Sequence, residues 1–264
     1  MKPADPAQMQ TLPWLLTRGA PASTALFFGG ERFDWATLDR RSRQTAAWLQ
    51  AQGIRPGDRV AVWMPNGPEW LQLLFGLAYA GAALVAVNAR YRSGELEHIL
   101  AVSGARMLVL APGWRDVDFL SILGQVERAR LPALERVATV GANGGDCAWP
   151  TVRLEEQRHD ALECVDRSTP AALAVLFTTS GTTGSPKLVM HTQGTLSLHA
   201  QQIALAYDMG RGGGVLCGIP LCGALGLNGV LAGFAAGRPV ALQASFDAPD
   251  AVRLLREHGL GFAY

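Results

Sequence analysis

Leu173-Ala-Val-Leu-Phe-Thr-Thr-Ser-Gly-Thr-Thr-Gly-Ser-Pro-Lys-Leu-Val-Met190 joins an apolar run to a second apolar run through ten residues of hydroxyls, glycines, a proline and a lysine. Leu173, Val175 and Phe177 alternate with Ala174 and Leu176, the pattern of a strand buried on both faces. Leu188-Val189-Met190 reads as a second strand, so the polar residues form the tip of a strand–loop–strand unit. Their composition suits a polyanion. Glycines allow tight turns that expose successive N–H groups as an anion nest. Ser and Thr hydroxyls rotate to donate to phosphate oxygens. Lys187 adds a compact charge to these donors. The chain carries 21 arginines and two lysines, Lys2 and Lys187, so its single interior lysine stands directly behind this loop.

Two other readings compete. A Walker A loop needs Gly-Lys followed by Ser or Thr at the start of a helix; here Pro186 precedes the lysine and a strand follows it. A plain surface turn is the commonest fate of Ser/Thr/Gly-rich sequence. Such a turn needs neither the lone interior lysine nor apolar strands on both sides. The residues therefore point to a phosphate-binding loop.

With Thr179 to Lys187, the chain resembles the adenylate-forming superfamily of acyl- and aryl-CoA synthetases, luciferases and adenylation domains. Its signature, Thr-Ser-Gly-Thr-Thr-Gly-x-Pro-Lys-Gly, is matched at each fixed position except the last, where Leu188 replaces Gly. Phe33-Asp-Trp-Ala-Thr-Leu38, Gly53-Ile-Arg-Pro-Gly-Asp-Arg-Val60, Pro65-Asn66 and Gly81-Ala-Ala-Leu-Val-Ala-Val-Asn88 stand in the family's order, so the resemblance runs from about residue 30 to the end. It implies an α/β fold of largely parallel sheets flanked by helices, as the incomplete N-terminal domain of an adenylate-forming enzyme. It also implies activation of a carboxylic acid by Mg2+-ATP to an acyl adenylate, followed by transfer to coenzyme A. Thr178, Thr179, Ser180, Gly181, Thr182, Thr183, Gly184 and Lys187 are the implied ATP phosphate-binding residues. Pro220, Leu221, Cys222, Gly223 and Gly226 resemble the Pro-Leu-Phe-His-x-x-Gly segment that borders the family's carboxylate pocket. Cys222 and Gly223 replace the aromatic and the histidine, and a buried turn is the rival reading of the segment. The family's ribose-binding Asp, hinge and C-terminal domain have no counterpart up to Tyr264, so no catalytic residue is assigned within these residues. The alternative reading of the chain is a truncated, non-catalytic remnant or nucleotide-binding module.

Along the chain, strands alternate with helices, which implies a parallel sheet covered on both faces. Asp34 caps a helix whose buried face includes Leu38, Thr45, Ala46 and Leu49 and which stops at Gly53. Helices are expected from Pro68 to Ala80, from a cap at Ser93, and near Val117 to Ala129. Others follow a cap at Thr192 and span Gly226 to Ala236 and Ala248 to His258. Strands are expected at Arg59–Met64, Ala83–Val87, Arg106–Leu110, Arg136–Val140, Val215–Ile219 and Pro239–Gln243, and another begins at Gly261. A first lobe is expected over 1–168 and the loop hairpin with the start of a second lobe over 169–264. His199 is expected in the core, His191 as a structural residue at a strand end, and Asn66 as a turn residue and helix cap. His98 shows no constellation.

Bulk properties narrow the partners. A net charge of +1 with scattered arginines argues against nucleic acid. The glycines and Pro220 in the uncharged stretch 212–237 argue against a membrane helix. Cys147, Cys164, Cys217 and Cys222 lack zinc-ligand spacing, and free buried thiols with an acidic, unsignal-like start imply a cytoplasmic protein. Nothing in the residues sets an oligomeric state, the acid, or the choice between CoA and a carrier protein as thiol acceptor.

Overall fold

The computed structural model describes residues 9–141, 147–154, 163–179 and 186–264. Its strands are β1 (Thr24–Phe28), β2 (Glu31–Asp34), β3 (Arg59–Trp63), β4 (Ala83–Val87), β5 (Met107–Leu110), β6 (Gly113–Trp114) and β7 (Val117–Asp118). They continue with β8 (Arg136–Thr139), β9 (Thr151–Arg153), β10 (Leu173–Thr179), β11 (Lys187–Thr192), β12 (Val215–Cys217), β13 (Val240–Leu242) and β14 (Phe262–Ala263). The helices are α1 (Trp35–Ala51), α2 (Pro68–Ala80), α3 (Ser93–Ser103), α4 (Phe119–Leu123), α5 (Gln193–Ala206), α6 (Ala224–Ala235) and α7 (Ala248–Glu257).

Among the described residues these strands make two main sheets. The larger runs β11-β10-β4-β3-β5-β8-β9 and the smaller β14-β12-β13-β1-β2. Only β10–β11 and β1–β2 pair antiparallel within them; the other neighbours are parallel. Sheet membership cuts across the expected division at residue 168. The hairpin β10–β11 extends the sheet of β3 and β4, while β1 and β2, near the start of the chain, complete the sheet of β12–β14.

The side-chain alternation of the strands explains the layering. Val60, Val62, Leu84 and Ala86 face a core shared with α1, α2, α5, α6 and the inner face of the small sheet. Ala61, Trp63, Val85 and Val87 face a second core under α3 and α4. Leu216 and Ala241 turn to the far side of the small sheet, where Leu254 of α7 covers them. Five layers result, helix–sheet–helix–sheet–helix. The central helical layer is locked by aromatics: Phe234 of α6 meets Trp35 edge-on at 5.1 Å and Phe75 of α2 at 6.1 Å.

Several local expectations hold. The Asp34 carboxylate accepts from the Thr37 N–H and the Thr192 hydroxyl accepts from that of Thr195, capping α1 and α5. Trp63 and Trp70 are fully buried. Others need correction. The N-cap of α3 is Arg92 rather than Ser93, and Glu95 accepts from the Arg92 backbone N–H. The fourth helix ends at Leu123, because Gly124 is a poor helix former and the turn after it lets Val126, Leu131 and Leu134 reach the core. Residues 113–118 before it form the hairpin β6–β7. His199 lies on the exposed stripe of α5 with Thr195 and Gln202, opposite buried Leu196, Ala200 and Ala204. Tyr207, at the C-terminal end of α5, is exposed as well.

Candidate functional site

In parallel α/β sheets ligands collect outside the carboxyl ends of the strands. Here two such edges face each other. Met64, Pro65 and Asn66 follow β3, and Asn88, Ala89 and Arg90 follow β4. From the small sheet, Gly218, Ile219 and Pro220 follow β12, while Ala244, Ser245 and Phe246 follow β13. Together with Trp114, Arg115 and Cys222 they enclose a cavity of about 250 Å³. Asn88, Ile219, Pro220 and Cys222 also wall a neighbouring space of about 410 Å³, which reaches Tyr91, Thr178, Gly223, Leu225 and Gly226. A continuous cleft therefore runs from between the sheets to the end of β10.

Asn66 holds the two edges together. Its Nδ2 donates to the carbonyls of Ile219 at 2.9 Å and Gln243 at 3.0 Å, and its Oδ1 accepts from the Leu221 N–H at 2.8 Å. The expected helix cap is not its role; Gly67 occupies that position, with Pro68 at the first turn. Across the mouth, Arg115 donates to the Ser245 hydroxyl and lies over the Trp114 ring, its guanidinium carbon 5.1 Å from the ring centre.

The phosphate-loop candidates divide by position. Thr178 and Thr179 end β10, Lys187 opens β11, and Thr179 stands opposite Lys187 in the ladder. The Thr179 hydroxyl points at the Lys187 carbonyl, 3.5 Å away. Ser180, Gly181, Thr182, Thr183 and Gly184 lie outside the described residues. Thr178 is half-buried in the cleft wall, whereas Thr179 and Lys187 are exposed. Leu188, where the signature has Gly, pairs with Thr178 and packs against the core beneath α3. His191 sits edge-on to Phe177 at 5.6 Å, a packing contact as expected.

Of the acyl-pocket candidates, Pro220, Cys222, Gly223 and Gly226 line the cleft. Leu221 is fully buried in the central core instead. Gly226 is required where it stands: a Cβ there would lie 2.5 Å from the Pro220 carbonyl oxygen. Burial raises the Cys222 thiol to about 11 and that of Cys217 to about 12, which disfavours the reactive thiolate of both near neutral pH. Iodoacetamide at pH 7.5 should therefore label Cys217 and Cys222 far more slowly in the folded chain than after denaturation. Rapid labelling of the folded chain, read by peptide mass, would contradict this.

Sequence reasoning missed two residues at the hairpin. Tyr91 donates its phenol O–H to the Thr178 hydroxyl at 3.1 Å, and His98 Nε2 lies 2.9 Å from the Pro186 carbonyl oxygen. Both contacts span nearly ninety residues of chain, and no local pattern marks them.

The AMP-binding enzyme family model matches residues 17–264. The chain belongs to the AMP-binding enzyme family. It is 34% identical over 239 residues to a feruloyl-CoA synthase of Amycolatopsis, covering 89% of this chain and 43% of that protein. It is 33% identical over 248 residues to the fatty acid–[acyl-carrier-protein] ligase ScoC of Streptomyces coeruleorubidus, covering 91% and 44%. Among solved structures, apo MbtA of Mycobacterium smegmatis superposes with a TM-score of 0.81 at 30% identity, over 96% of this chain and 47% of that one. The N-terminal domain of FACL13 from Mycobacterium tuberculosis shares the fold with a TM-score of 0.80, over 97% and 62%. The chain thus spans a little under half the length of these two curated relatives. No helix among the described residues is long and apolar enough to cross a membrane.

Proposed function

We propose that this chain supplies the phosphate-binding hairpin and part of the acid-binding cleft of an ATP-dependent acid–thiol ligase. In the first half-reaction a carboxylate oxygen attacks the α-phosphorus of Mg2+-ATP, the bond to the β-phosphate oxygen breaks, and pyrophosphate leaves. In the second, a thiol sulfur attacks the acyl carbonyl and AMP departs, with the thiol proton passing to solvent. The protein's task in phosphoryl-type transfer is positioning and charge stabilisation. The observation that carries the reading is the opening of one cleft onto both Thr178 and the Pro220–Gly226 segment. Thr178, Thr179 and Lys187 would hold the β- and γ-phosphates and the departing pyrophosphate, and the Pro220–Gly226 wall would face the acid. Relatives act with CoA or a carrier protein by name, and coenzyme A is the proposed acceptor.

The test is ATP–pyrophosphate exchange by the whole protein with a panel of aryl and fatty acids. Exchange that requires one class of acid supports adenylation and names the class. ATP binding with no exchange under any acid would favour the second reading, a nucleotide-binding module. For the 264 residues alone the expected result is binding without acyl-CoA formation.

A further inference from the structure

We infer that Tyr91 and His98 are positioning residues that set the two ends of the phosphate hairpin; this rests on the phosphate-binding role proposed for Thr178, Thr179 and Lys187. The segment from the end of β4 into α3 sends one side chain to each strand. Tyr91 reaches Thr178, the penultimate residue of β10, and His98 reaches Pro186, the residue before Lys187 on β11. A carbonyl oxygen can only accept, so the imidazole must carry its proton on Nε2 to make this bond. Tyr91 and Leu188 also pack against the same core beneath α3, and Leu188 pairs with Thr178. Three contacts from one side thus fix the ladder from which the hydroxyls and the ammonium project.

Of the two hydroxyls in this contact the phenol is the more acidic, hence the better donor, and the threonine oxygen the better acceptor, which sets the direction of the bond. The phenol donates to Thr178, occupying a lone pair of that hydroxyl and leaving its proton free to point into the cleft. A donor that itself accepts a hydrogen bond is polarised toward a stronger one. An anion in the cleft would therefore meet a Thr178 hydroxyl already oriented as a donor. Holding Thr178 and Lys187 in place before binding removes part of the ordering cost that ATP would otherwise offset.

Calorimetric titration of this chain with Mg2+-ATP and with Mg2+-tripolyphosphate tests the inference. Tyr91→Phe removes the hydroxyl and keeps the ring; His98→Leu removes the donor; His98→Gln keeps an amide N–H near the position of Nε2. Tyr91→Phe and His98→Leu should each raise Kd for both ligands about three- to tenfold, the usual worth of one hydrogen bond. His98→Gln should return it to within about twofold of the parent, and melting temperatures should change little, because one part-buried hydrogen bond is a small part of the fold's stability. If Lys187→Ala weakens binding while Tyr91→Phe and His98→Leu bind like the parent, the positioning role is wrong and the phosphate role stands. Weaker binding that tracks a lower melting temperature, without rescue by His98→Gln, also overturns it. Absence of binding by the parent chain removes the phosphate role and this inference with it.

Discussion

Lys187→Ala should lower acid-dependent ATP–pyrophosphate exchange by the whole protein about a hundredfold or more, the usual scale for deleting one group that meets charge developing in a transition state. The fold should survive. Lys187 is exposed at the start of an edge strand, and the pairing of Thr179 with Lys187 is made by backbone that alanine retains. Arginine should restore little, since a broad planar guanidinium does not reproduce a compact ammonium. Lys2 is the other lysine, and among the described residues Arg90 and Arg115 lie in the wall of the inner cavity rather than on the hairpin. Near-normal exchange by the alanine variant, with unchanged circular dichroism, would sink the proposed role of the hairpin.

How much of this was readable from the residues depends on the range of the interaction concerned. The hairpin was legible because its signals are local: two apolar runs, a glycine-rich tip and a lone lysine within eighteen residues. The caps at Asp34 and Thr192 were legible for the same reason. Sheet order was not, because β10 joins β4 across more than eighty residues and β1 joins β13 across more than two hundred. The strands β1 and β2 did leave a local mark that went unread. Thr24-Ala-Leu-Phe-Phe28 and Glu31-Arg-Phe-Asp34 flank Gly29-Gly30, whose φ values of 59° and 84° make the tight turn such a pair favours. His199 was misplaced because apolar residues lie at 196, 200 and 203, and a residue between them in sequence faces elsewhere on a helix. Tyr91 and His98 leave no local mark, since each matters through one distant partner.

Asn66→Asp should be the most destabilising single-atom change in the cleft. The asparagine is 6% exposed, and its amide nitrogen serves the Ile219 and Gln243 carbonyls while its oxygen serves the Leu221 N–H. An aspartate keeps the last bond and turns a second acceptor toward two carbonyl oxygens. Two buried acceptors then lose their donor, at about 1–3 kcal/mol each, so a loss of roughly 3–5 kcal/mol is expected at pH 8. In a chain of this size that corresponds to a fall in Tm of about 6–20 °C. The sign of its pH dependence follows from the site. Burial and facing carbonyls raise the folded-state pKa of the new carboxyl above its unfolded value near 3.9. As the pH falls toward that raised pKa, the carboxyl takes up a proton, donates to one carbonyl, and regains part of the loss. Asn66→Ala has no such group, so its deficit relative to the parent should stay flat between pH 8 and pH 5. Thermal melts of both variants across that range decide the matter: a Tm within about 2 °C of the parent for Asn66→Asp at pH 8 would correspond to less than about 1 kcal/mol and would mean that this residue does not hold the two sheets' edges together.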